Sequence, residues 1–292
     1  PALSQAFNGL SPDSVLQFPN LADASQPIAV ELVTDFSSTD FHDGIAPPAG
    51  SPPRGGVIVL RGGGYAQAPV APYDNLGIPD RAGCGAGGNV EMPREGALEI
   101  GLTDDLLNQL LHGAWEGGLL EFDMPPELLP TEGFISDVQI HVSGMLAPTA
   151  SDCSPDGMVR AHLGDVRIDG SLTLNTTPLT FTAYSSMLAG LEFTPTESGV
   201  AITITEVERI DTELTVNEDS GIETEPLLES TLETQLVDGV LGAIASGGLG
   251  AINLPDIDLS PTLGLPAGTA ALHITADDAV RAPGVTVIRG HL

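Results

Sequence analysis

Lysine is missing from this 292-residue chain: its nine basic side chains are all arginines, set against 40 acidic ones for a formal charge of −31. A surface that acidic repels phosphate backbones and anionic headgroups, which excludes nucleic acid as a partner and polybasic docking onto membranes. Aromatic residues make up only 4%, with one Trp and three Tyr, so few large rings are on hand to plug a core. No run of about 20 uninterrupted apolar residues occurs, which removes a membrane-spanning helix from the sequence's options. The chain opens at Pro1 with no charged segment leading into an apolar one, so it is expected to be already processed or truncated. Reactive motifs are missing too. There is no Gly-x-Ser-x-Gly elbow, no His-Glu-x-x-His pair, no phosphate-binding Gly-x-x-x-x-Gly-Lys loop and no Cys-x-x-Cys pair.

Cysteine is down to two. Cys84 and Cys153 lie in Gly83-Cys84-Gly85 and Asp152-Cys153-Ser154-Pro155, loops that suit a surface disulfide better than a buried thiol, with two free thiols as the other reading. A disulfide places the protein in an oxidising compartment, secreted or in the cell envelope.

What is present is strand. Hydrophobic residues make up 41% of the chain, enough for a sizeable core, and 35 Gly with 24 Pro lack collagen's period of three and read as turns between many strands. Period-two alternation runs through Phe134–Met145, Met158–Asn175, Leu179–Thr194 and Val200–Val216, with turn residues between them, which predicts one antiparallel meander. Two stretches are helical instead. Thr103 caps a helix whose apolar residues fall at Leu106, Leu107, Leu110, Leu111, Ala114 and Trp115, and Gly117-Gly118 ends it. A second starts near Thr224-Glu225-Pro226, carries Leu228, Leu232, Leu236, Val240, Leu241 and Ile244 on one face, and stops at Gly247-Gly248.

Residues 1–90 differ in character, with Pro47-Pro48, Pro52-Pro53 and Gly62-Gly63-Gly64, yet they echo the C-terminus in order. Phe18-Pro19-Asn20-Leu21 matches Leu254-Pro255-Asp256-Ile257, residues 27–32 match 268–274, and Val57-Ile58-Val59-Leu60-Arg61-Gly62 matches Val285-Thr286-Val287-Ile288-Arg289-Gly290. The expected organisation is therefore the closing portion of one module in 1–90 and a complete second module in 91–292. If the first is a fragment, strands near Ile28–Val33 and Val57–Leu60 present unpaired edges and an uncovered apolar face, and self-association through residues 1–70 follows.

The run Leu102-Thr103-Asp104-Asp105-Leu106-Leu107-Asn108-Gln109-Leu110-Leu111, followed by Ala114-Trp115-Glu116-Gly117-Gly118-Leu119-Leu120, resembles a recurring element of bactericidal/permeability-increasing protein and its relatives, the tubular lipid-binding superfamily. The long meander, second helix and closing strand follow in that family's order over about residues 90–292. The resemblance implies an α+β fold, a half-barrel in which a long, strongly coiled antiparallel sheet wraps around two helices. It also implies a lipid lying between helices and sheet, with no catalytic centre. No basic tip is present, so binding of lipopolysaccharide is not expected. The groove residues are Leu107, Leu111, Trp115, Leu232, Leu236 and Leu241 from the helices, with Phe181 and Phe193 from the sheet.

Three other readings compete. The first is a structural subunit of an extracellular assembly or filament built by strand addition. The second is a hydrolase using Asp35 with His42, or His141 with His162, for acid/base work. The third concerns metal: Asp152, Ser154 and Asp156 precede Gly157 as the first half of a calcium loop would. Leu163 stands where that loop needs a bidentate Glu, so an ordinary Pro-Asp-Gly turn is the simpler reading. The expectation is a bound lipid and no cofactor, with calcium at Asp152, Ser154 and Asp156 as the weaker alternative.

Overall fold

The structure, a computed structural model, describes residues 14–41, 56–78, 98–125, 135–152, 158–216 and 251–291, apart from 24, 175, 197–198, 255–256, 259, 261–263 and 267. Along the chain run β1 (Ser14–Phe18), β2 (Ile28–Phe41), β3 (Gly56–Ala66), β4 (Leu98–Thr103) and helix α1 (Asp104–Glu116). Then come β5 (Glu121–Asp123), β6 (Ile135–Gly144), β7 (Thr149–Ser151), β8 (Arg160–Leu174), β9 (Thr177–Thr196) and β10 (Gly199–Val216). The C-terminal part adds β11 (Ala251–Asn253), β12 (Ile257–Asp258), β13 (Ala271–Leu272), β14 (Thr275–Ala282) and β15 (Val285–His291).

The four alternating segments of the sequence form the heart of a seven-stranded antiparallel sheet, ordered β11-β10-β9-β8-β6-β5 with β7 on the end of β8. Its strands are long, 20 residues in β9, and irregularities in register bend them. Two of these, between Ser136 and Gln139 and between Leu163 and Val166, hold Asp137 at φ 54° and Asp165 at φ 48°. Asp is among the few residues whose short polar side chain tolerates that left-handed region. No sheet closes on itself among the described residues. This is the expected sheet-rich architecture with one helix; the second expected helix, near 224–247, lies outside the described residues.

Helix α1 begins where the sequence says. Thr103 is extended at φ −72°, ψ 150°, its Oγ1 accepts from Leu106 N, and Asp104 and Asp105 fill the first turn, where the helix dipole favours acid. It ends at Gly117, and Gly118 at φ +97° turns the chain away. The extended segment after β3 supplies the C-terminal cap, with Val70 N and Ala71 N both donating to Glu116 O at 2.7 and 3.1 Å.

The expectation of an uncovered apolar face in residues 1–70 needs correcting, as does that of open edges near Ile28–Val33, whereas the outer edge of β3, which holds Val57–Leu60, carries no strand among the described residues. β2 is paired on both sides, by β1 and β3, and its apolar face is covered by α1. The cover is close because glycines make room: a Cβ on Gly113 would stand 2.9 Å from Val30 Cγ1 and 3.3 Å from the Gly64 backbone. Leu16, Phe18, Ile28, Val30 and Leu32 thereby join the cluster that also holds α1 and the inner face of the large sheet, so a single core crosses position 90. The chain's far ends are tied as well. Arg281 on β14 donates from Nη1 and Nη2 to both carboxylate oxygens of Asp104, at 2.7 and 2.8 Å, and from Nη2 to Asp152 Oδ2 at 2.9 Å.

Candidate apolar binding site

Leu107, Leu110, Leu111, Ala114 and Trp115 form the buried stripe of α1, at the 3–4-residue spacing of one helical face. Two polar groups fix that face against the sheet. Trp115 Nε1 donates to Gly144 O at 2.7 Å, satisfying the one polar atom of an otherwise apolar ring, and Asn108 Oδ1 accepts from Ala150 N at 2.6 Å. The asparagine of the helix motif is thus an anchor for β7. His112, next to Trp115, is a satisfied rim residue whose Nε2 lies 3.0 Å from Asn75 Oδ1.

Opposite lies the inner face of the sheet, carried by Leu179, Phe181, Ala183, Met187, Leu191 and Phe193 of β9. Phe181 is seated over Gly170, its cross-strand partner on β8, where any Cβ would overlap the ring. On β10 the apolar residues are spaced unevenly, at Ile202, Ile204, Val207, Ile210, Leu214 and Val216. Strict alternation would throw Val207 outward, since it alone of the six stands at an odd position. Bulges between Ile204 and Glu206 and between Val207 and Arg209 each absorb one residue, and the register then sets Val207 opposite Ala189, Ile210 opposite Met187, Leu214 opposite Ala183 and Val216 opposite Phe181. All of them therefore face inward. The sequence pattern hid this because a bulge leaves no residue type of its own.

Burial divides this face. Ile202, Phe181 and Leu191 are buried, whereas Phe193, Ile204, Val207, Ile210, Leu214 and Val216 are only partly so, packed against the rim of the core. The result is a half-covered apolar strip along β10, interrupted by one polar pair, Ser185 Oγ and Thr212 Oγ1 at 3.1 Å. Of the groove residues expected from sequence, Leu107, Leu111, Trp115 and Phe181 are in the shared core and Phe193 is at the start of the strip. Leu232, Leu236 and Leu241 lie outside the described residues, as do Cys84, Cys153, Ser154, Asp156 and His42. Asp152 accepts from Arg281 and, at 2.6 Å, from Gly284 N.

The expected pairing of His141 with His162 is not formed: the register sets His141 opposite Asp169, and His162 lies seven positions further along β8, opposite Leu188 and Thr149. Instead His141 sits on the outer face between two carboxylates, with Nδ1 2.8 Å from Asp123 Oδ1 and Nε2 2.9 Å from Glu121 Oε1. Ser143 Oγ lies 3.2 Å from the same Nε2, so Ser143, His141 and Asp123 have the outline of a nucleophile, base and orienting acid. The hydrogen bonding argues otherwise. Ser143 donates to Glu121 Oε2 at 2.8 Å, and partial burial of His141 is outweighed by its bonds to Asp123 and Glu121, which raise its pKa above the ordinary value. With both ring nitrogens facing carboxylate oxygens, the charged form of the imidazole is favoured, and that form has no lone pair for a serine proton. The cluster ties β5 to β6. No group of three or more His, Cys, Asp or Glu among the described residues is arranged to hold a metal ion.

No protein-family model matches the chain, and no curated protein does. Among solved structures it is similar to a lipopolysaccharide binding protein, with a TM-score of 0.37 and 12% identity, over 80% of this chain and 49% of that one. The chain thus spans about half the length of that structure, and a likeness of this degree assigns neither fold family nor function. Among the described residues no helix is long and apolar enough to cross a membrane.

Proposed function

We propose that the protein is a non-catalytic binding module, secreted or in the cell envelope, that holds the acyl chain of a lipid-like ligand along the inner face of its large sheet. The observation that carries this reading is the strip Ile204, Val207, Ile210, Leu214 and Val216, all facing inward, with Val207 brought into phase by two bulges, and only half-covered. Keeping five aliphatic side chains in phase across two irregularities, along the edge of a core, is the arrangement an apolar ligand needs and a filled core does not require. The scarcity of aromatics supports it, since Leu, Val and Ile line a smooth channel. So does the sequence resemblance of the α1 segment to the tubular lipid-binding superfamily, and the sequence setting of the two cysteines supports the oxidising location. The −31 charge favours ligands with neutral or zwitterionic heads over anionic ones.

Native mass spectrometry and organic extraction of the purified protein test it. Lipid should be recovered, a fluorescent fatty acid should be taken up, and Ile210→Asp should abolish uptake while leaving the circular dichroism of the sheet unchanged. Recovery of no lipid together with no uptake by the intact protein would end this reading.

A further inference from the structure

Two hairpins of the chain repeat one another, in sequence and in register. β3 reads Val57-Ile58-Val59-Leu60-Arg61-Gly62 and β15 reads Val285-Thr286-Val287-Ile288-Arg289-Gly290. Each pairs antiparallel with the strand before it, and in both the arginine stands opposite an aspartate: Asp35 opposite Arg61, Asp278 opposite Arg289. On its other side β15 carries β4, with Arg289 opposite Glu99, Ile288 opposite Ile100 and Gly290 opposite Leu98. Arg289 therefore lies between two acids, Nε 3.3 Å from Glu99 Oε1 and Nη1 3.8 Å from Asp278 Oδ2. The corresponding outer edge of β3 has no strand on it among the described residues.

That edge is built unlike the other long open one among the described residues. Beyond Ala201, where β11 stops, β10 is guarded by two bulges and by Glu206, Glu208, Asp211 and Glu213, the devices that keep an edge from pairing. β3 has none of them: no proline, no acidic residue, and no extra residue of its own, since the irregularity with β2 falls between Phe36 and Ser38. It also lies within residues 44–73, a stretch with two arginines and no Asp or Glu in a chain of 40 acids. Arg61 is exposed. An uncharged, regular strand edge with one cation at a fixed register position complements a strand with an acid at the matching position.

We propose that the outer edge of β3 is an acceptor site for an extended acidic polypeptide strand of the β4 type, bound antiparallel with a carboxylate opposite Arg61. The inference stands apart from ligand binding on β10, which involves other strands. β4 itself supplies the probe. A fluorescein-labelled peptide of residues 98–105, titrated into the intact chain, should bind saturably, and its addition should slow amide exchange at residues 57–62. Changing the peptide's glutamate to lysine should weaken binding on the order of tenfold, an attractive cross-strand pair becoming a repulsive one. Arg61→Glu in the protein should reverse the preference between the two peptides. Equal binding of both peptides by the unaltered protein, protection of residues 285–290 in place of 57–62, or no binding at all would each overturn the proposal. The peptide-side change decides the matter even if Arg61→Glu disturbs folding.

Discussion

Gly170 and Phe181 show how one missing methyl sets a local arrangement. The ring of Phe181 lies where a Cβ of Gly170 would be, so the glycine on β8 creates the seat and the aromatic on β9 fills it. Gly170→Ala should then push the ring off its position and destabilise the fold by about 1–3 kcal/mol, the usual range for overpacking. In a Phe181→Leu background the same substitution should cost much less. Urea unfolding of the four proteins of that cycle measures the coupling, and strict additivity would show that the two residues do not share a seat. His141 gives a second residue-scale test through its raised pKa. A group whose folded-state value is raised contributes stability fully below its unfolded pKa, about 6.5, and loses it as pH climbs through the folded value. His141→Gln should therefore be less stable than the parent near pH 5 and indistinguishable from it near pH 9. With 42% of the ring side chain exposed, solvent screens the pair and the difference should stay under about 1 kcal/mol. A deficit equal at both pH values would mean that the ring acts by packing alone.

At the scale of elements, α1 and β3 meet through glycines, and two opposed effects decide what a change there does. Replacing Gly113 by Ala would favour the isolated helix by about 1 kcal/mol. It would also drive a methyl to within 2.9 Å of Val30 Cγ1 and 3.3 Å of the Gly64 backbone, and a strand backbone cannot step aside as a side-chain end can. Crowding at about 1–3 kcal/mol should win, so Gly113→Ala should lower the thermal midpoint despite the better helix former. A raised midpoint would place the helix further from the strand. The same contact explains what was legible in the sequence. The helix showed itself through its apolar spacing and caps, and the four meander strands through alternation, their ends agreeing with the structure to within two residues. Gly62-Gly63-Gly64 carries no strand pattern and is strand all the same, because what selects glycine there is a helix some fifty residues later in the chain, and no local pattern records it. The strip on β10 was missed for a related reason, its three-residue spacings from Ile204 to Ile210 being produced by bulges. The α1 half of the expected groove could be read from sequence; the register that brings β10 to face inward could not.

For the molecule as a whole, the governing quantity is a charge of −31, and it bears differently on the surface and on the buried clasp between Arg281, Asp104 and Asp152. Repulsion among exposed carboxylates opposes the compact state and is screened over about 10 Å at 0.1 M salt, so stability should rise as salt is added. The clasp is another matter. Asp104 is 1% and Asp152 6% exposed, and the guanidinium they share joins the first turn of α1, the segment after β7 and the final hairpin, whose turn also accepts Asp104 N at Gly284 O, 3.0 Å away. Removing the cation takes the counter-charge from two buried carboxylates in a protein already rich in negative charge, where losing one partner of a buried pair costs about 3–5 kcal/mol. Arg281→Met, which keeps the length of the side chain, should therefore be strongly destabilised, and mobile ions should have no access to correct it. Denaturant unfolding at about 0.02 M and about 0.5 M NaCl separates the two contributions, with both proteins gaining from added salt and the gap between them holding constant. A gap that closes in high salt would mean that the clasp is solvated, and that the union of the chain's distant segments rests on the apolar core alone.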